Sequence, residues 1–162
     1  LSTQTQYGDF ELTFEYNADA KVNSGVFLRV SDLDDEVHTG LEIQILDTYG
    51  KEPPLDKGDS GALYDMIAPS TNPLSPAGEW NRMRLRCEGP RVEVELNGVL
   101  VVEADLELFD TPGMNPDGTS NKFKYAWKTM PRMGHIGLQT HAGIGGLSDL
   151  KIRFRNLVVQ TL

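Results

Sequence analysis

Apolar and polar residues alternate along several segments of this chain, and that period of two constrains the fold more than any other feature. In Asp9–Tyr16 the apolar set is Phe10, Leu12, Phe14 and Tyr16, opposed by Asp9, Glu11, Thr13 and Glu15. Met83, Leu85 and Cys87 alternate with Arg82, Arg84, Arg86 and Glu88; Val92, Val94 and Leu96 alternate with Arg91, Glu93 and Glu95. Strand side chains point to opposite faces in turn, so each pattern predicts a half-buried strand. Asn97-Gly98 tolerates positive φ at both positions and predicts a tight hairpin into Val99–Glu103. Val26/Leu28/Val30, Leu41/Ile43/Ile45, Ile136/Leu138 and Ile152/Phe154 repeat the pattern. No segment offers an amphipathic helix of ten or more residues. Short strands separated by Gly and Pro turns predict an all-β fold, a sandwich of two antiparallel sheets.

The chain has 162 residues, 39% of them hydrophobic, enough for one sandwich domain over residues 1–162 with a sizeable core. Its formal charge of −9 disfavours nucleic acid and anionic membrane surfaces, which need clustered Lys and Arg. The longest apolar run, Val99-Leu100-Val101-Val102, is strand-sized, so membrane insertion by a helix of about 20 apolar residues is not expected. A single cysteine, Cys87, excludes an internal disulfide and falls on an apolar strand face, as inert core.

The outward faces of the predicted strands differ. On Asp9–Glu15, Arg82–Glu88 and Arg91–Glu95 they carry mixed charge, the composition of a solvated sheet. Elsewhere alternation turns Asn23, Gly25, Phe27 and Arg29 outward, then Glu42 and Gln44, then His135, Gly137, Gln139 and His141. Amides, a guanidinium, a carboxylate and imidazoles supply directional hydrogen bonds, and Phe27 supplies an apolar platform. That combination suits a neutral, hydroxyl-rich ligand.

Asn23-Ser24-Gly25-Val26 with Arg29, Gly40–Asp47, Gly61-Ala62-Leu63-Tyr64 with Pro69, and Gly78-Glu79-Trp80-Asn81 form an ordered series along the chain. Leu96-Asn97-Gly98, Gly134–Gln139 with His141, and Phe154-Arg155-Asn156-Leu157 complete it. Together these stretches resemble the 3-keto-disaccharide hydrolase domain family. The resemblance implies a concanavalin A-like jelly-roll sandwich whose concave front sheet carries the site. It also implies carbohydrate as substrate and an exported origin, periplasmic or extracellular, in glycan-degrading bacteria. There are two departures: an N-terminal Asn-Gly-Lys segment followed by a Trp has no counterpart here, and the family's His-Gly pair reads His141-Ala142-Gly143.

Classical glycosidases use two carboxyl groups, about 5–9.5 Å apart. Here Glu42 is followed at i+2 by Gln44, and Asp47, five residues on, belongs to the opposite face. A sugar oxidised at C3 needs less, because the ketone acidifies the C2 proton. One base forms the enolate, which expels the anomeric oxygen; water addition completes a net hydrolysis. Glu42 and His141 are the candidate bases. Arg29 is expected to stabilise the enolate. Tyr64, or whichever of Glu42 and His141 is not the base, protonates the leaving group. Asn23, Phe27, Gln44, Gln139 and His135 are candidate substrate contacts.

The long connections Thr48–Ser60, Pro69–Glu79 and Asp105–Arg132 hold most of the prolines. The last carries Phe123, Tyr125 and Trp127, which either wall a sugar cleft or anchor the loop; Trp127 joins the candidate sugar contacts. No zinc spacing occurs and no cofactor is expected, although the acidic segments Asp32–Glu36 and Asp56–Asp59 contain oxygen ligands that a structural calcium uses. A non-catalytic, lectin-like carbohydrate-binding module is the alternative on the same fold, and a structural domain the third. The sequence is silent on oligomeric state.

Overall fold

The computed structural model describes residues 1–162. Eight strands build it: β1 (Phe10–Ala18), β2 (Asn23–Val30), β3 (Leu41–Leu46), β4 (Trp80–Glu88), β5 (Arg91–Leu96), β6 (Val99–Asp105), β7 (His135–Leu138) and β8 (Ile152–Thr161). They form two antiparallel sheets, a five-stranded back sheet ordered β6-β5-β4-β1-β8 and a three-stranded front sheet ordered β3-β2-β7. The α-helix content is one turn, α1 (Glu36–Thr39). The fold is an all-β sandwich, as the period of two requires.

The predicted inward sets meet between the sheets. Phe10, Leu12, Phe14 and Tyr16 of β1, Met83, Leu85 and Cys87 of β4, and Val92, Val94 and Leu96 of β5 face Val26, Leu28, Leu41, Ile43, Ile45 and Ile136 of the front sheet. Asn97 and Gly98 both adopt positive φ (49° and 82°), which is the turn that matches strand twist in a two-residue hairpin. Burial drives the Cys87 thiol up to about 12, so it stays protonated and unreactive at neutral pH.

The front sheet gains width from segments that the alternation does not mark. Residues 61–64 run along β3, with Gly61 N–H donating to Gln44 O (2.8 Å) and Tyr64 N–H to Glu42 O (2.8 Å). Residues 1–7 run along β7, with Thr3 N–H donating to Ile136 O (2.9 Å) and Tyr7 N–H to Gly134 O (2.8 Å). His135 clamps that segment: its Nδ1 lies 2.8 Å from Thr3 O and its Nε2 3.2 Å from Gln6 Nε2. The long connection from Asp105 to Arg132 tucks Leu106, Phe109, Phe123 and Trp127 into the core. Phe123 and Trp127 meet edge to face with ring centroids 5.1 Å apart. Trp127 is therefore a loop anchor, 3% exposed, and not a sugar platform.

The two acidic segments weighed for calcium are engaged within the chain. Lys51 Nζ lies 2.7 Å from Asp56 Oδ2 and 2.8 Å from Asp59 Oδ2. Asp32 Oδ1 accepts from Asp34 N–H. No group of three or more His, Cys, Asp or Glu is arranged to hold a metal ion.

One departure reorganises the front sheet. Phe27 pairs with Gly137 but Val30 pairs with His135, so β2 carries one extra residue there. Arg29 absorbs it at φ 52°, a left-handed conformation that costs an ordinary residue about 1–2 kcal/mol. Parity inverts beyond this bulge. Val30 joins the outer face instead of the core, and Arg29 leaves it. The Arg29 side chain is buried and donates to Gly8 O (2.9 Å), Gly89 O (2.7 Å) and Asp9 Oδ1 (2.9 Å). Gly134 packs on the bulge so closely that a Cβ there would lie 2.5 Å from Val30 O and closer still to Arg29 C.

Arg29→Met leaves Gly8 O and Gly89 O without the guanidinium donor and the Asp9 carboxylate with only the Gly89 N–H, and is expected to lower stability by about 3 kcal/mol in urea titration. An unchanged midpoint contradicts the clamp. Cys87 is expected to resist alkylation at pH 8 until denaturant unfolds the chain; labelling at the rate of a free thiol contradicts its burial.

Candidate functional site

The outer face of the front sheet carries a hollow of about 220 Å³ lined by Asn23, Val37, Glu42, Gln44, Tyr64, Lys122, Gln139 and His141. Strand parity explains its floor. Leu41, Ile43 and Ile45 point into the core, so Glu42 and Gln44 must point out. In the antiparallel register Gly25 lies opposite Gln44 and Phe27 opposite Glu42. Gln139 follows β7 and is fixed by its N–H to Gly25 O (2.9 Å). Gly25 makes room for the carboxylate: a Cβ there would sit 3.2 Å from Glu42 Oε1.

Glu42 is only 6% exposed, and burying a carboxylate requires compensation. Both its oxygens have it. Gln139 Nε2 donates to Oε1 (2.8 Å), and Lys122 Nζ lies 3.3 Å from Oε2. Lys122 comes from the long connection, where Asp65 Oδ2 accepts its backbone N–H (2.6 Å). Its ammonium also sits over the Tyr64 ring, 4.2 Å from the centroid, a cation–π contact. Burial first, then the negative charges of Glu42 and Asp65, raise the Tyr64 hydroxyl above its ordinary value of 10.0. Tyr64 is thus a protonated donor at neutral pH.

Across the hollow, His141 Nδ1 lies 2.7 Å from Ala142 O and 3.2 Å from Asn23 Nδ2. Nδ1 serves one of these at a time. Protonated, it donates to Ala142 O and leaves Nε2 with a free lone pair; unprotonated, it accepts from Asn23 and Nε2 carries the hydrogen. Asn23 Oδ1 accepts from Gln44 Nε2 (3.4 Å). The amide oxygens of Gln44 and Gln139 have no partner in the protein. Gln44 is 4% exposed, so its oxygen is a buried acceptor whose desolvation, about 1–3 kcal/mol, is uncompensated. Such orphans point to a ligand or water that completes the network.

Of the residues selected from sequence, Glu42, His141, Tyr64, Asn23, Gln44 and Gln139 meet in this hollow. Arg29 does not, because the β2 bulge turns it under the sheet. Phe27 shares the outer face but is 5% exposed and floors a neighbouring hollow. His135 clamps the N-terminal segment, and Trp127 is in the core. Lys122, which sequence reading passed over, stands as the cation of the site. No local pattern marks it, because its place is set by the bond of its backbone to Asp65.

Among solved structures the chain is similar to a "putative glycosyl hydrolase" from Parabacteroides distasonis ATCC 8503, at 31% identity and a TM-score of 0.88, covering 99% of this chain and 82% of the other. A second protein of that description from the same organism gives 23% identity and a TM-score of 0.74, over 99% of this chain and 73% of the other. The carbohydrate binding module CBM66 from Bacillus subtilis shares the fold at 13% identity and a TM-score of 0.51, over 98% and 78% of the two chains. No curated protein matches. The model of the 3-keto-alpha-glucoside-1,2-lyase-like domain matches residues 1–160, nearly the whole chain, and the chain belongs to that family.

Proposed function

We propose that this protein is a carbohydrate-active enzyme that cleaves 3-keto-glycosides by elimination across C1 and C2. The observation that carries the reading is the composition of the hollow. Glu42 is the one carboxylate lining it, and it stands beside a lysine, a tyrosine and a histidine. Displacement at C1 by the usual route needs a second carboxyl group. Proton abstraction next to a ketone needs a base, an oxyanion partner and an acid, and these three are at hand. The family's name, and the glycosyl hydrolase description of the 31% identical relative, support carbohydrate as the substrate.

His141 Nε2, free when Nδ1–H donates to Ala142 O, takes the C2 proton. The C–H electrons form the C2=C3 bond, and the oxygen at C3 becomes an enolate held by Lys122 Nζ. Lys122 takes the part that sequence assigned to Arg29. The enolate then restores the C3 carbonyl, forms C1=C2 and breaks the bond from C1 to the leaving oxygen. Tyr64 gives that oxygen its proton and regains one from the His141 imidazolium through water. Adding water across C1=C2 yields the free 3-keto sugar. Glu42, with both oxygens engaged, positions Lys122 and Gln139, while Gln44, Gln139 and Asn23 receive sugar hydroxyls. Export to the periplasm or the cell exterior fits this chemistry.

A non-catalytic carbohydrate-binding role is the second reading. It is favoured by the complete engagement of Glu42, and it predicts that Glu42→Gln keeps sugar affinity with no turnover in either protein.

Purified protein is expected to turn over a 3-keto-α-glucoside and spare its unoxidised counterpart. His141→Ala should lower kcat by about 10²–10⁴-fold and Lys122→Met by about 10²–10³-fold. Full rate in both variants, or activity confined to the unoxidised glycoside, overturns the assignment. Since Tyr64 acts protonated and its pKa is raised, the rate should fall on the alkaline side only above pH 10. Tyr64→Phe should be slower and lack that limb; an alkaline limb retained in Tyr64→Phe assigns it to another group.

A further inference from the structure

Tyr64 and Lys122 reach the hollow from segments far apart in sequence, and one residue is bonded to both. Asp65 follows Tyr64 in a tight turn closed by two backbone bonds, Leu63 N–H to Ile67 O (3.1 Å) and Ile67 N–H to Leu63 O (2.9 Å). Leu63 and Met66 of this turn are buried in the core, which fixes the turn to the sandwich. Asp65 adopts φ 61°, the left-handed region that Gly, Asn and Asp tolerate best. Its N–H donates to Lys57 O (2.9 Å), and its Oδ2 accepts the Lys122 N–H (2.6 Å).

The neighbours of Lys122 lead back to the same residue. Phe123 N–H donates to Asn121 Oδ1 (3.0 Å), and Asn121 Nδ2 donates to Asn115 Oδ1 (2.9 Å). Asn115 is 3% exposed, and its Nδ2 donates to Asp65 O (3.1 Å). Asp65 itself does not line the hollow, so what it does there it does through Tyr64 and Lys122.

We infer that Asp65 is a positioning residue that fixes the proton donor Tyr64 and the oxyanion partner Lys122 relative to each other, a role that rests on the glycoside-cleaving reading above. The residue type follows from two requirements. A left-handed backbone favours Gly, Asn or Asp, and the bond to Lys122 needs a side-chain acceptor on a short stem, which leaves Asn and Asp. Charge separates these two. Around Tyr64 stand Glu42 from β3, Lys122 from the long connection and His141 on the same lining, while the Lys57 ammonium is spent on Asp117 (3.0 Å). The negative charges of Glu42 and Asp65 both disfavour the phenolate. Neutralising Asp65 therefore lowers the pH at which Tyr64 ionises.

Two variants separate the bond from the charge. Asp65→Gly keeps the left-handed backbone and removes the acceptor; Asp65→Asn keeps both and removes the charge. With its ammonium over the Tyr64 ring, Lys122 should show ε-protons upfield of the other lysines in NMR spectra. Asp65→Gly should abolish that shift and Asp65→Asn retain it. On a 3-keto-α-glucoside, Asp65→Gly is expected to lower kcat by about 10–10²-fold with KM little changed, and Asp65→Asn to recover most of the loss. In Asp65→Asn the Tyr64 ring carbons should titrate at lower pH, and the alkaline limb of the rate should move with them. An upfield shift or a native kcat that survives Asp65→Gly, or a Tyr64 titration that Asp65→Asn leaves in place, overturns the role. Should Asp65→Gly fail to fold, the titration in Asp65→Asn still decides. If native protein turns over no 3-keto-glycoside, the catalytic reading falls instead, and the two NMR readouts decide the positioning without it.

Discussion

The Arg29 guanidinium joins the two layers of this sandwich at one end. It belongs to a front-sheet strand, yet its three donors go to Gly8 O, to Asp9 at the entry to β1, and to Gly89 O in the turn between β4 and β5. Those bonds hold a bulge that would otherwise be strained, and the bulge decides which side chains reach the outer face of β2. Without it, Val30 would be core and a guanidinium would stand on the face that bears the hollows. Arg29 is thus withdrawn from that face, and Lys122, brought by the long connection, occupies the position beside Glu42.

Charge balance in the hollow follows from burial. A carboxylate with so little exposure needs compensation, and Gln139 and Lys122 supply it. Their service to Glu42 also orients them. The Gln139 amide must turn its nitrogen to the carboxylate and so leaves its oxygen unpartnered, while the Lys122 ammonium is pinned between Glu42 and the face of Tyr64. An oxyanion forming nearby meets a cation already in place, which is the condition under which fixed charge lowers a barrier without reorganisation. The same carboxylate contributes to keeping Tyr64 protonated, so one buried charge positions one donor and preserves another.

Much of this was legible in the alternation of side chains. Glu42 and Gln44 are outward because Leu41, Ile43 and Ile45 are inward, and the same logic assigns Asn23 and places Phe27. Three residues escaped that logic for separate reasons. Arg29 sits at a bulge, and positive φ at an arginine has no local signature of the kind Gly or Asn provides. Trp127 alternates with Phe123 and Tyr125 as if on a strand, but the segment is irregular and its burial comes from packing on the core. Lys122 reaches the site through long-range bonds, its backbone tied to Asp65, which no periodicity encodes. His135 obeyed parity, yet its ring is spent on a segment more than a hundred residues away in sequence. Alternation reports the face a strand residue takes; it is silent on what loops and termini bring to that face.

In the proposed elimination the bond to the leaving group breaks only after a proton leaves C2. A 3-keto-glucoside deuterated at C2 probes that directly. Elimination gives a primary isotope effect on kcat/KM and a product whose C2 hydrogen derives from solvent. A product that keeps its C2 deuterium, formed at the rate of the unlabelled substrate, would mean displacement at C1 and would contradict the roles given to His141 and Lys122.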